Sequence, residues 1–117
     1  MCQDPNCIFC KIAAHEIPST VVYEDDQVIA FDDLNPQAPV HTLVIPKAHY
    51  ADITDDVPVE TMGAMAHAVK EVAAKKGLTQ GFRVISNKGA DAGQTVVHFH
   101  MHVLGGKHLG EGLLPEE

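Results

Sequence analysis

The 117-residue sequence predicts an α+β fold, a five-stranded antiparallel meander sheet with one short and one long helix. Three observations predict it. Five short β-rich runs are separated by turn residues, one long amphipathic stretch lies between the third and fourth, and no repeat or linker divides the chain. Apolar residues make up 45% and charged residues 21%, enough for one core at this length. The expectation is a single domain over 1–117, with a flexible start at 1–6 and a tail at 107–117.

CIFCKIAAHEI (7–17) carries apolar residues at helical spacing before Pro18 and reads as the short helix. TVVYED (20–25) and VIAFDD (28–33) read as strands joined by an acidic turn, and HTLVIPK (41–47), after the break PQAP, as the third. The long helix covers 59–77: Met62, Met65, Val69, Val72 and Ala73 make its apolar stripe, and Gly77 ends it. His67 lies beside that stripe and reads as an exposed helical histidine without a role. GFRVISN (81–87) and TVVHFHMHVLG (95–105) are the last two strands, flanking the turn-rich KGADAGQ, and the helices are expected on one face of the sheet.

Composition excludes several functions. A formal charge of −8 opposes binding to nucleic acid or anionic membranes. With no Trp and 5% aromatic residues, a base-stacking platform is not expected. No apolar run has the length of a membrane span and the start lacks a signal-peptide layout, so a cytoplasmic protein is expected. Three cysteines, an odd number, oppose a disulfide framework, and Cys2 reads as a free thiol.

The chemistry concentrates in VVHFHMHVLGG (96–106). On a strand, His98, His100 and His102 share one face while Phe99, Met101 and Val103 share the other. His98 and His102 are then about 13 Å apart at ~3.3 Å per residue, too far for one metal to bind all three. A buried imidazole without partners costs about 1–3 kcal/mol, so three in alternation suit an anion to be held or attacked. The preceding loop, NKGADAGQT (87–95), offers glycines and free N–H groups that can cradle phosphate.

QTVVHFHMHVLGG resembles the signature of the histidine-triad (HIT) family, and the similarity extends through CIFCKIAAHEIPSTVVYEDDQVIAFDDLNPQAPVHTLVIPKAHY to nearly the whole chain. The resemblance is to the small nucleotide-binding branch and implies a purine nucleoside phosphoramidase-like hydrolase. His100 would be the nucleophile that forms a nucleotidyl-histidine intermediate, His102 would contact the α-phosphate, His98 would orient the strand, and His41 would stand beside the triad. Asp33 would hold the ribose hydroxyls with Leu34 next to it. Ile8, Phe9, Ile12, Phe31 and Leu43 would form the purine pocket. Asn87, Gly93, Gln94 and Thr95 would hold phosphate and leaving group, Thr95 standing where the family usually has Ser. The implied ligand is AMP or a derivative, the implied assembly a homodimer joined edge to edge, and no catalytic cofactor is implied. Dinucleoside polyphosphate hydrolysis, or nucleotide sensing with incidental turnover, are the alternatives.

Cys7 and Cys10 form C-x₂-C, half of a tetrahedral zinc site, and no second such pair follows. The family resemblance implies that His49 and His98 complete it as a structural Zn²⁺ site; two reduced cysteines packed in the core are the alternative.

Overall fold

The computed structural model describes residues 6–114, so the expectations for 1–5, including the free thiol at Cys2, and for 115–117 lie outside the described residues. Helix α1 (Ile8–Ala13) precedes strands β1 (Val21–Glu24), β2 (Val28–Asp32) and β3 (Val40–Pro46). Helix α2 (Val59–Lys75), β4 (Arg83–Ile85), a 3₁₀ turn (Ala90–Ala92) and β5 (Met101–Gly105) follow. No described helix is long and apolar enough to cross a membrane.

All strand pairs are antiparallel, in the order β1-β2-β3-β5-β4. The expected meander therefore holds for the first three strands only. After α2 the chain enters at the far edge as β4, and β5 returns between β4 and β3. This puts β5, which carries His102 and directly follows His98 and His100, inside the sheet, where both neighbours hold it.

The β1–β2 turn forms because Asp25 bends back on its own backbone, its Oδ1 accepting from the Gln27 and Val28 N–H groups at 2.8 and 2.9 Å. Helix α2 ends as Gly77 predicts. Gly77 takes φ 68°, its N–H donates to Ala74 O at 3.3 Å, and Leu78 N–H donates to Ala73 O at 2.9 Å, a Schellman closure. The buried stripe of α2 is Thr61, Met65, Ala68 and Val72, with Met62 and Val69 on its flanks. His67 is exposed beside Glu71, as expected of it.

The helices lie on opposite faces of the sheet, not on one. Val28, Ala30, Val44, Phe99 and Val103 pack with α2, whereas Ile29, Phe31, Leu43 and Ile45 pack with Phe9 and Ile12 of α1. The cause is visible in β2 and β3, whose apolar runs do not alternate with polar residues and so need cover on both sides. The histidines share the α1 face.

Candidate active site and metal cluster

The ladder of β5 begins at Met101, so His98, at the end of a bend over 96–98, and His100 stand just before it, not inside a strand over 95–105. The pairing stops there because Phe99 N–H leaves the sheet to donate to Tyr50 O at 2.6 Å. The alternation of faces survives nonetheless. Phe99 is buried on the α2 side, while the rings of His98 and His100 meet the Phe9 ring edge-on at 5.9 and 5.1 Å. His100 and His102 are 5.0 Å apart, ring centre to ring centre.

Hydrogen bonds set the tautomer of each imidazole. His100 Nδ1–H donates to the His98 carbonyl at 2.6 Å, which leaves the His100 Nε2 lone pair bare. Gln37 N–H donates to His41 Nδ1 at 3.0 Å, so the proton of neutral His41 is on Nε2. That Nε2–H donates to His102 Nδ1 at 2.9 Å, with Asp33 Oδ2 at 3.4 Å, and His102 therefore carries its own proton on Nε2. One buried face thus holds an imidazole lone pair at His100 next to an N–H donor at His102.

Burial, and then the neighbouring His100 and His41 rings, push the His102 pKa down from 6.5 to about 4, against the opposite pull of Asp33. His102 is a neutral donor at pH 7.

Asp33, His41 and His102 bring three ligand atoms within 4.8 Å of one another. A metal on His41 Nε2 would need the proton on Nδ1, where the Gln37 N–H already donates. The group is a hydrogen-bonded relay.

The second cluster has the opposite character. Cys7, Cys10, His49 and His98 also converge within 4.8 Å. His98 Nε2–H donates to Pro46 O at 2.9 Å, which turns its Nδ1 lone pair toward Cys7 Sγ at 3.2 Å and Cys10 Sγ at 3.6 Å. His49 Nδ1 is 3.3 Å from Cys10 Sγ. Donor separations of about 3.3–3.8 Å are what Zn–N and Zn–S bonds of ~2.0–2.3 Å give in a tetrahedron, so the residues fit Zn²⁺. Carbonyl support behind a ligand imidazole is the usual second layer of such a site. Cys10 is disulfide-bonded, so its service as a thiolate ligand requires that bond to be reduced.

The loop before the triad differs from expectation in its free N–H groups. The N–H groups of Ala92, Gly93 and Gln94 bond to Gly89 O or Ala90 O, and Gly89 N–H donates to the Gln94 side chain at 2.9 Å. Those four close the loop and do not point outward. Gln94 also donates through Nε2 to Ala51 O and Val96 O at 2.8 and 3.1 Å, so its amide clamps the loop. Gly93 sits at φ 73° in the left-handed region and turns the chain. Asn87 is half-buried and Thr95 exposed at the two ends of this loop.

Phe9, Ile12, Phe31 and Leu43 are brought together in one apolar cluster, with Phe9 and Phe31 in edge contact at 5.7 Å. Ile8 is half-exposed, and Leu34 projects almost wholly into solvent beside Asp33, 93% exposed. A cleft of about 310 Å³ opens between Asn6, Cys7 and Ile8 and residues 95–97. A larger one, about 760 Å³, lies between residues 77–83 and 106–110 and contains none of the expected site residues.

Four participants were missed in the sequence: the carbonyls of Pro46 and Tyr50, the Gln37 N–H, and Ser86, whose hydroxyl donates to His100 O at 2.9 Å. Backbone groups carry no sequence signal, and a lone Ser after a strand is too common to stand out.

The model of the HIT domain matches residues 14–109. Protein HitA of Neisseria gonorrhoeae is 47% identical over 102 residues, 86% of this chain and 95% of that protein. A 14 kDa zinc-binding protein of Zea mays is 44% identical over 111 residues, 92% of this chain and 87% of its own. Among solved structures, a HIT family hydrolase from Clostridium thermocellum superposes with TM-score 0.91 at 44% identity, covering 96% of this chain and 100% of that one. A histidine triad nucleotide-binding protein from Candida albicans superposes with TM-score 0.84 at 33% identity, covering 96% and 85%. Sequence, fold and the arrangement of imidazoles agree, and the chain belongs to the HIT domain family.

Proposed function

We propose that the protein is a nucleotide-binding hydrolase that cleaves AMP-like nucleoside phosphoramidates through a nucleotidyl-histidine on His100. The observation that carries the reading is the 2.6 Å bond from His100 Nδ1–H to the His98 carbonyl, which keeps the Nε2 lone pair available as a nucleophile. Similarity to the Clostridium thermocellum HIT family hydrolase and the Candida albicans histidine triad nucleotide-binding protein supports the reaction class and the ligand class.

In this reading the purine lies on the apolar cluster of Phe9, Ile12, Phe31 and Leu43, edged by Ile8 and Leu34, with Asp33 on the ribose hydroxyls. His100 Nε2 attacks the α-phosphorus, the P–N bond to the amine breaks with the nitrogen taking its proton from water, and His102 Nε2–H hydrogen-bonds the phosphoryl group. Asn87 and Thr95 face the phosphate and leaving group, Gly93 and Gln94 shape the loop, and water then attacks phosphorus and frees His100. A low His102 pKa keeps a second positive charge away from the attacking imidazole. Cys7, Cys10, His49 and His98 would hold a structural Zn²⁺, its four positions filled by protein; the zinc-binding Zea mays relative and the donor set support this. The functional unit would be a homodimer.

His100→Ala should lower turnover of adenosine 5′-phosphoramidate by at least 10³-fold while AMP still binds, because only the nucleophile is removed. Full residual turnover refutes the assignment. Rates on a diadenosine polyphosphate beside the phosphoramidate discriminate the two hydrolase readings.

A further inference from the structure

The peptide carrying His100 falls between two ladders. Pairing of β3 with β5 reaches only Val44 opposite Met101, and pairing of β4 with β5 reaches only Ile85 opposite His102. Since the His100 ring is bonded to the carbonyl of His98, ring and backbone 98–100 move as one body. What fixes that body therefore fixes the aim of Nε2. On one side Phe99 N–H is held by Tyr50 O at 2.6 Å. On the other, Ser86 Oγ–H donates to the His100 carbonyl at 2.9 Å.

Ser86 is the first residue after β4 and the last before Asn87 and the loop that Gln94 clamps. Its hydroxyl continues the β4–β5 contact by a side chain where the backbone ladder has stopped.

We propose that Ser86 is a positioning residue for the nucleophile: by holding the His100 carbonyl, its hydroxyl sets where the His100 imidazole stands relative to the phosphate-binding loop. The inference rests on the reading of His100 as nucleophile. Half-buried Ser86 bonds to the His100 main-chain carbonyl and so acts through the backbone. A reacting atom displaced by ~1 Å costs on the order of 10²-fold in rate, and a partial loosening costs less.

The test compares wild type, Ser86→Ala, Ser86→Thr and Ser86→Cys on adenosine 5′-phosphoramidate, with ¹⁵N spectra of the His100 imidazole in the free proteins. Ser86→Ala should lower kcat by about 5- to 20-fold with KM within about twofold, and should shift or broaden the His100 nitrogen signals. Ser86→Thr, which keeps the hydroxyl, should restore both. Ser86→Cys, nearly the same size with a weak donor, should behave like Ser86→Ala and serves if the alanine variant does not fold. An unchanged kcat and unchanged His100 signals in Ser86→Ala or Ser86→Cys would overturn the proposal, as would a Thr variant as impaired as Ala. Turnover surviving His100→Ala instead refutes the nucleophile, and the ¹⁵N spectra then still report whether Ser86 holds the ring.

Discussion

Three histidines two residues apart carry three different proton arrangements, each set by what accepts or donates behind the ring. His98 gives its N–H to Pro46 O, His100 to the carbonyl of His98, and His102 receives from His41. The pKa of His102 has a consequence for stability. In the unfolded chain it takes up a proton near pH 6.5, but the folded protein resists until about 4, so unfolding binds the extra proton in that window. This contribution is fully present above pH 6.5 and is lost as pH falls toward about 4. Urea midpoints of metal-free protein should fall between pH 7 and 4.5, and His102→Gln should fall less steeply; equal slopes would remove the inference. At the neighbouring cluster, reduced protein should bind one Zn²⁺ per chain, and His49→Ala should lower its affinity by at least 10-fold, read by competition with a chromophoric chelator. Wild-type affinity in that variant would exclude His49 as a ligand.

At the scale of elements, the site depends on how β3 and β5 meet. Gly106 closes β5 at φ 88°, and a Cβ there would stand 2.9 Å from Pro39 Cβ and 3.3 Å from Val40 N, at the entry of β3. Gly106→Ala should therefore destabilise by about 1–3 kcal/mol, through left-handed strain and this crowding. A denaturation midpoint equal to wild type would show that the junction yields freely. These details were not legible in the sequence. Period two placed Phe99 and Val103 in the core and the histidines opposite, and the structure agrees. But the same pattern extended the strand back to residue 95, because it does not register that Phe99 N–H bonds to Tyr50 instead of to the sheet. Composition likewise shows that the glycine-rich loop has N–H groups to offer, not that the Gln94 side chain accepts from one of them.

For the whole molecule, the two sheet edges are unlike. β1 is blunted by an irregular register between Val21 and Tyr23 and by Lys75 Nζ, which donates to Val22 O at 2.9 Å. β4 lies beyond the cover of α2, and Phe82 and Val84 are left 41% and 42% exposed. A homodimer would pair there, which buries apolar surface and completes an open ladder. Val84→Asp should shift the protein toward monomer in light scattering at micromolar concentration, whereas Val21→Asp should not. A dimer undisturbed by Val84→Asp would place the interface elsewhere.

Strand periods, the capping glycine of α2 and the Cys and His ligand spacing belong to residues near one another in the chain, so the sequence by itself determined the α+β class, the five strands and the face that presents the histidines. Only the tertiary structure decided that the sheet runs β1-β2-β3-β5-β4, that α1 and α2 cover opposite faces, and which groups stand behind each imidazole. These outcomes turn on contacts such as Cys7 with His98, 91 residues apart, and Ser86 with His100 across the end of a ladder. A local pattern states which groups need partners, and the packing of distant segments decides which partners they meet.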